Sequence, residues 1–358
     1  MRILDRYIAR RFLSNLTFAL VAFALIFIVV DMVENLDAFL DRHVSWTIVA
    51  KYYLFYLPHI VVMSLPVAVL LASLFCMGTL AKHNELVAMK ATGTSLYRIL
   101  SPMIILGVLV SVADIFVGEV VSPAANRRKR EIKLDYIEKH DFNIRRRMTN
   151  LIVRDRADRR VLIRYYDSKQ QTAYRVSIQE YEGSRMRRRL DAPVMRWTGS
   201  NWRMENGYER LFSDGQEQAA AFAGLDVPDL GVTHRELARV QLEPEEMSYG
   251  ELREFIEEVR RNGGKSHRWL VDLYLKISFP FSNLIILLIG ASLASSKRRS
   301  GVAVSFGFSL VICFLYFGLL KTGQSLGHTG TLPPLLAAWL GNIVFLAVGI
   351  VLVARTRT

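Results

Sequence analysis

Val110-Ser111-Val112-Ala113-Asp114-Ile115-Phe116-Val117-Gly118-Glu119-Val120-Val121 runs straight into Ser122-Pro123-Ala124-Ala125-Asn126-Arg127-Arg128-Lys129-Arg130. At that join an apolar chain turns polar. It stays polar to Arg268, about 145 residues, the length of one soluble domain. Apolar stretches of membrane-crossing length lie on both sides, three before the join and three after the polar block. The layout is that of an α-helical membrane protein with six transmembrane helices and one inserted extramembrane domain. It excludes a soluble enzyme.

Composition agrees once charge is located rather than totalled. The chain is 51% hydrophobic and 22% charged, with a formal net charge of +13. A soluble domain carries about 25% charged residues, so charge is segregated here, not missing. Residues 122–267 hold 29 Lys/Arg against 24 Asp/Glu, a net of +5, and the flanking parts hold 17 against 9, a net of +8. In a multi-span chain such an excess belongs to basic loops on the cytoplasmic side, not to a nucleic-acid partner. Cys76 and Cys313 both fall in apolar spans. The polar block has no cysteine, and must be held by an ordinary core.

A helix needs about 20 residues to cross the hydrocarbon layer. Spans are expected near 12–36, 55–81, 99–121, 270–294, 302–322 and 334–354. Arg2, Arg6, Arg10 and Arg11 precede the first without a small-residue cleavage site after it, so that span is read as retained. Pro58 and Pro66 predict a kink in the second, with an interfacial first part. The loops 82–98 (Lys82, Lys90, Arg98 against Glu85) and 295–301 (Lys297, Arg298, Arg299) are basic. The loop 31–47 has four acids and one Arg, and 323–333 no full charge. The positive-inside rule then places both termini in the cytoplasm and the polar domain outside.

Within the polar domain, Leu151–Val153, Val161–Ile163, Thr172–Tyr181, Val194–Trp197, Trp202–Met204 and Tyr208–Phe212 alternate or run short between turn signals. This predicts an all-β sandwich or roll, with Asn206-Gly207 as a hairpin turn. Arg185–Arg189 reads as a solvated strand or loop, with an anionic-lipid contact as the alternative. Ser248 and Glu251 have capping-box spacing before the apolar stripe Leu252, Phe255, Ile256 and Val259, so a closing helix over 248–262 is expected, stopped by Gly263-Gly264.

Motifs for chemistry are scarce. Gly264-Lys265-Ser266 resembles the end of a phosphate loop, but Val259 stands where the pattern needs glycine. No HExxH or GxSxG occurs. More informative is the segment 82–91, a short amphipathic helix ended by Thr92-Gly93-Thr94-Ser95. It either lies against the membrane or docks into a groove on a cytoplasmic partner, with Glu85 as its charged anchor. In the spans, Asp114 and Glu119 stand in the outer half of the third. Asp272 and Lys276 have i,i+4 spacing and read as an internal pair. Lys321 either snorkels to headgroups or faces an anionic ligand.

Leu4-Asp5-Arg6-Tyr7, Asn84–Met89 with Ala91-Thr92-Gly93, Met247–Gly263, Leu273–Pro280, Arg299-Ser300-Gly301, Gly327–Gly330 and Pro333-Pro334 with Trp339 and Asn342 stand in the order and spacing of one family. The chain resembles a permease of the lipopolysaccharide-export ABC transporter, the LptF/LptG type, leaning to the G type. The resemblance implies spans 1–3 in residues 1–121, a periplasmic β-jellyroll-like domain in 122–267, and spans 4–6 in 268–358. It also implies a second permease subunit around a lipid cavity, an LptB-like cytoplasmic ATPase dimer that uses ATP and Mg, and LptC- and LptA-like periplasmic bridge proteins. No cofactor would belong to this chain, and no metal. Glu85 matches the family's coupling-helix glutamate, with Leu86, Met89 and Gly93 beside it. Lys321, Arg42 and Lys276 are the candidate contacts to lipopolysaccharide. The outer end of span one departs from members with basic residues there: Asp31, Glu34, Asp37 and Asp41 leave only Arg42. The implied place is the Gram-negative inner membrane. The rival class is a membrane-anchored periplasmic binding or sensor protein without transport, and an outer-face lipid-modifying enzyme comes third.

Overall fold

The computed structural model describes residues 3–137, 151–154, 158–167, 170–183, 185–213, 216–228, 230–234, 237, 242–261, 266–295 and 302–355. The chain divides into two compact units. One comprises Met1–Ile137, Pro244–Tyr249 and His267–Thr358, the other Glu138–Glu243 and Gly250–Ser266.

The first unit is helical. It contains α1 (Ile3–Glu34), α2 (Leu36–Asp41), α3 (Trp46–Lys82), α4 (Glu85–Ala91), α5 (Leu96–Phe116) and α6 (Ser122–Ile132). After the second unit come α8 (His267–Ser295), α9 (Val302–His328) and α10 (Pro334–Arg355), preceded by α7 (Tyr249–Arg261). Among the described residues six helices are long and apolar enough to cross a membrane. They are the six expected spans. The first begins earlier than expected, at Ile3, because Ile8, Ala9 and Phe12 are buried and hold the basic first turns in the helix. Pro58 and Pro66 sit inside α3 without ending it. Neighbouring helices stabilise such an interrupted ladder in a bundle.

Span three does not stop at Val121. A π-helical turn over Val117–Val121 leads into α6, so the helix continues into the polar sequence. The polar residues of α6 are held by the returning chain. Asn126 Nδ2 donates to the Glu245 carbonyl (3.1 Å), Arg127 Nε to the Glu246 carbonyl (2.7 Å), and Arg130 pairs with the Glu246 carboxylate.

Apolar packing between helices has no hydrophobic drive in lipid, so small residues that allow close approach matter most. Ala68, Ala72, Cys76 and Met77 of α3 are fully buried with Ile8 and Phe12 of α1, Ile99 and Met103 of α5, and Leu287 and Ala291 of α8. Buried polar ties join the last three spans. Tyr316 donates to Asn342 Oδ1 (3.0 Å), Asn342 to the Ser278 carbonyl, and Ser278 Oγ to the Ala338 carbonyl (2.8 Å).

The second unit carries the expected all-β insertion and includes most of α7. Its strands are β1 (Leu151–Arg154), β2 (Arg159–Asp167), β3 (Thr172–Glu182), β4 (Arg185–Trp197), β5 (Trp202–Ser213) and β6 (Gln216–Val227). They form one antiparallel sheet in the sequential order β1-β2-β3-β4-β5-β6, a meander among the described residues. One face buries Val161, Ile163, Val176, Ile178, Leu190, Ala192, Met195 and Trp202. Trp202 Nε1 donates to the Val232 carbonyl (2.6 Å) and Tyr166 to the His234 carbonyl (3.2 Å). Burial, with Asp167 adding to it, pushes the Tyr166 phenol up to about 12.

Asn206-Gly207 is not a turn. It lies in the middle of β5, and Trp202–Met204 and Tyr208–Phe212 are one strand. By register Arg164, Arg175, Pro193 and Asn206 share one row across β2 to β5, and the ladder is interrupted there. Arg175 has φ +50° and Asn206 φ +52°. Pro193 has no N–H to give to the ladder. The buried set changes phase at this row: Val176 and Ile178 lie on one side of it, Ala173 on the other, and likewise Trp202 and Met204 against Gly207. The turn chemistry is used to crease the sheet. A Cβ at Gly207 would overlap the Phe222 ring and the Asp191 carbonyl, which explains glycine inside a strand. The β4–β5 hairpin turns instead at Gly199 (φ +100°), with Thr198 N bonded to the Asn201 carbonyl at 2.9 Å.

Arg185–Arg189 lies in β4, and two of its arginines meet acids: Arg188 Nε to Glu209 (2.7 Å) and Arg189 Nε to Asp191 (2.9 Å). Helix α7 buries Leu252, Phe255 and Ile256, three of the four stripe residues. The stop at Gly263-Gly264, most of Gly264-Lys265-Ser266 and the basic loop Lys297–Arg299 with Ser300-Gly301 lie outside the described residues.

Candidate functional site

Two places in the helical unit carry the candidate residues. The first is the turn from α3 to α5. Asn84, at φ +59°, breaks the helix, and α4 follows from Glu85 to Ala91. It ends in a Schellman arrangement: Gly93 N–H bonds the Lys90 carbonyl (3.0 Å) and Thr94 N–H the Met89 carbonyl (3.3 Å), with Gly93 at φ +79°. Ser95 Oγ then accepts from Arg98 N–H (3.3 Å) and starts α5. The glycine is needed where it stands, as the sequence implied.

The side chains of α4 separate by face. Leu86 is buried in the core with Ile8 and Phe12, and Met89 packs partly against the same core. Both support the helix from within. Val87, Ala88 and Ala91 are exposed. Glu85 is about a third exposed and already engaged: it accepts from the Tyr7 hydroxyl (2.7 Å) and lies 3.4 Å from Arg11 Nη2. The Arg11 guanidinium in turn lies over the Tyr7 ring, 4.6 Å from its centre. Nearby, Asp5 pairs with Arg98 (2.9 Å).

The second place is a cavity of about 220 Å³ between α3, α5, α8 and α9, reached also by Pro244 and Glu245. Its walls mix apolar side chains (Val62, Met63, Phe279, Phe317, Leu320) with Asp114, Glu119, Asp272, Lys276 and Lys321. Asp272 and Lys276 do not pair with each other. Lys276 Nζ reaches Glu119 Oε1 (3.1 Å), while Asp272 Oδ1 takes Gln324 Nε2 (3.0 Å) and His328 Nε2 (2.9 Å). Tertiary partners across helices displace the local i,i+4 contact, because a charge inside a bundle turns towards its neighbours. Glu119 Oε2 also accepts from Tyr249 N–H, an orphan donor of the first turn of α7. The π-helical turn is what aims Glu119 at this junction, and such turns recur at functional positions. Asp114 Oδ2 accepts from Asn283 Nδ2 (2.8 Å) deep between α5 and α8.

Lys321 Nζ donates to the neutral Gln324 (3.0 Å), so its charge meets no acid at hydrogen-bond distance among the described residues. Lys276 and Lys321 are thus brought to one cavity. Arg42 is not: it follows α2, whose Phe39 packs edge-on against Tyr52 and Tyr53 of α3. Asp31, one of the acids at the C-terminal end of span one, holds the Tyr53 hydroxyl (3.0 Å). The Glu119 link escaped sequence reasoning because its partner is 157 residues away. No metal-holding group of His, Cys, Asp or Glu occurs among the described residues.

Six spans and an inserted β unit define a multi-pass membrane protein. The chain belongs to the family described as lipopolysaccharide export system permease LptF/LptG, which matches residues 6–355. It is similar to the lipopolysaccharide export system permease protein LptG of Escherichia coli strain K12, 21% identical over 99% of this chain and 98% of that protein. The same figures hold for LptG of Escherichia coli O6:H1.

Proposed function

We propose that this chain is a non-catalytic permease subunit that extracts lipopolysaccharide from the Gram-negative inner membrane and passes it to a periplasmic bridge. A second subunit of the same family would complete the cavity, and a separate cytoplasmic ATPase dimer would supply the energy from ATP and Mg. The observation that carries this reading is the family match along essentially the whole chain. Physics supports the division of labour. Each acyl CH₂ lifted out of a bilayer costs about 0.8 kcal/mol, so a lipid with several chains needs an external energy source. In this reading Lys321 and Lys276 face the anionic head of the lipid, because charge-assisted bonds to phosphate are stronger than neutral ones. Arg42 joins them only if the second subunit brings the end of span one to the cavity.

Orientation is a separate part of the proposal: both termini cytoplasmic, the β unit periplasmic. Cys76 and Cys313 are buried, so an introduced cysteine is read against a quiet background. Ser200→Cys should react with an impermeant thiol reagent applied from the periplasmic side, and His83→Cys only after the membrane is opened. The opposite pattern would reverse the topology.

The coupling segment supplies the functional test. Glu85→Lys should abolish ATPase association or transport while the chain still inserts and folds. Glu85→Gln, which keeps the shape and the acceptor for Tyr7, should do less harm. The loss of one member of a buried, hydrogen-bonded charge pair costs about 2–5 kcal/mol, against much less for a rim charge. Co-purification of the ATPase with each variant, beside transport in reconstituted vesicles, reads the effect. Normal values for Glu85→Lys would leave Glu85 without a part in coupling, and a wild-type chain that never brings an ATPase with it would favour the binding or sensor class.

A further inference from the structure

Helix α4 packs on α3 and also meets α1, where its contacts form two stripes on adjoining faces of that helix. Tyr7 and Arg11, one turn apart, both reach Glu85, at 2.7 and 3.4 Å. Ile8 and Phe12, also one turn apart and both fully buried, share a core with Leu86. Residues at i and i+4 lie one above the other on a helix face. One face therefore carries the polar contact and the next the apolar one. The Arg98–Asp5 pair at 2.9 Å ties the first turn of α5 to α1 as well. Past Ala19 the helix changes character. Val21, Leu25, Ile26, Val29 and Val33 are all exposed.

From this arrangement we infer that Tyr7 and Arg11 are positioning residues for coupling. They hold the Glu85 carboxylate so that α4 and the first half of α1 move as one body when a partner displaces α4. The partner then meets the exposed side of α4 at Val87, Ala88 and Ala91, and the carboxylate works inside this chain. The inference rests on the proposed coupling to an ATPase, and it differs from a direct salt bridge between Glu85 and that ATPase in one respect: the cation that Glu85 needs is Arg11 of its own chain.

Charge exchange separates the two. Full-length chain carrying Glu85→Arg, Arg11→Glu, or both is expressed with the host's own partners and purified from membranes. Co-purifying ATPase, ATP hydrolysis and thermal melting in detergent are then recorded. Each single variant should lower hydrolysis per retained ATPase at least tenfold. The double variant should recover it to within about threefold of wild type, with the melting temperature recovering in parallel. Tyr7→Phe should lower hydrolysis per retained ATPase while the amount of retained ATPase stays at the wild-type level. A double variant no better than Glu85→Arg alone, in hydrolysis and in melting, overturns the inference and returns Glu85 to a direct contact. The melting cycle needs no ATPase. If wild-type chain brings none with it, the proposed function fails, and the restored or unrestored melting temperature still decides the latch.

Discussion

Gly290→Leu should leave little folded protein in the membrane. Gly290 lies in α8 where that helix crosses α3, between Ile286, Leu287, Ile289 and Ala291, all buried. A Cβ built there would overlap Ser73 Oγ, approach Leu70 Cδ1 to 2.8 Å and stand 3.3 Å from the Leu70 carbonyl. The Leu70 side chain has room to turn only within a packed core, and Ser73 Oγ is held by its bond to the Leu70 carbonyl at 2.8 Å. The backbone carbonyl cannot turn away. Overpacking a tight core costs about 1–3 kcal/mol and sometimes more, which sets the expectation for Gly290→Ala. Leucine adds three further carbons and must push the two helices apart. In lipid that separation forfeits the dispersion contacts that close small-residue packing provides. The measurement is the yield of monodisperse protein in detergent, with thermal melting of what survives. Wild-type yield and melting for Gly290→Leu would show that α3 and α8 pack through other residues.

How much of this was legible in the sequence depends on the range of the interaction. The six spans were legible because twenty apolar residues in a row have few alternatives. The β insertion was legible because alternation between turn signals is local. The end of α4 was legible in Thr92-Gly93, whose positive φ the Schellman motif requires. Asn206-Gly207 was misread for a reason of the same kind. The pair does adopt φ > 0 at Asn206, but Arg175, also at φ > 0, and Pro193, which has no N–H for the ladder, lie in the same row on strands that only the fold makes neighbours, and the row becomes a crease. Asp272 and Lys276 were misread because i,i+4 is the only partner that a sequence can offer, while the fold supplies Glu119, Gln324 and His328. Leu86 shows a further limit. Periodicity says that α4 has an apolar side, and only the packing with Ile8 and Phe12 says which side the chain keeps for itself.

The other large effect is expected at Glu119. Its carboxylate binds Lys276 Nζ at 3.1 Å and the Tyr249 N–H, so it joins the π-helical turn of span three to span four and to the start of α7. The side chains of Lys276 and Glu119 are 14% and 21% exposed, and the pair lines a largely apolar cavity. Removing one member of a buried pair leaves an uncompensated charge and costs about 3–5 kcal/mol, whereas replacing both members by apolar residues is often neutral. Part of that figure is lost to solvent screening at this exposure. Glu119→Leu should therefore lower the melting temperature sharply, and Lys276→Met should do the same. The double variant should recover most of Glu119→Leu's loss and less of Lys276→Met's, because it shares with Glu119→Leu, and not with Lys276→Met, a Tyr249 N–H without its acceptor. Transport then separates architecture from lipid contact. If Lys276 only balances Glu119, the double variant folds and transports. If Lys276 also meets the anionic head of the lipid, the double variant folds and fails, and Lys276→Arg restores transport where Lys276→Met does not. Additive losses in melting, with no recovery in the double variant, would show that the two side chains do not act as a pair.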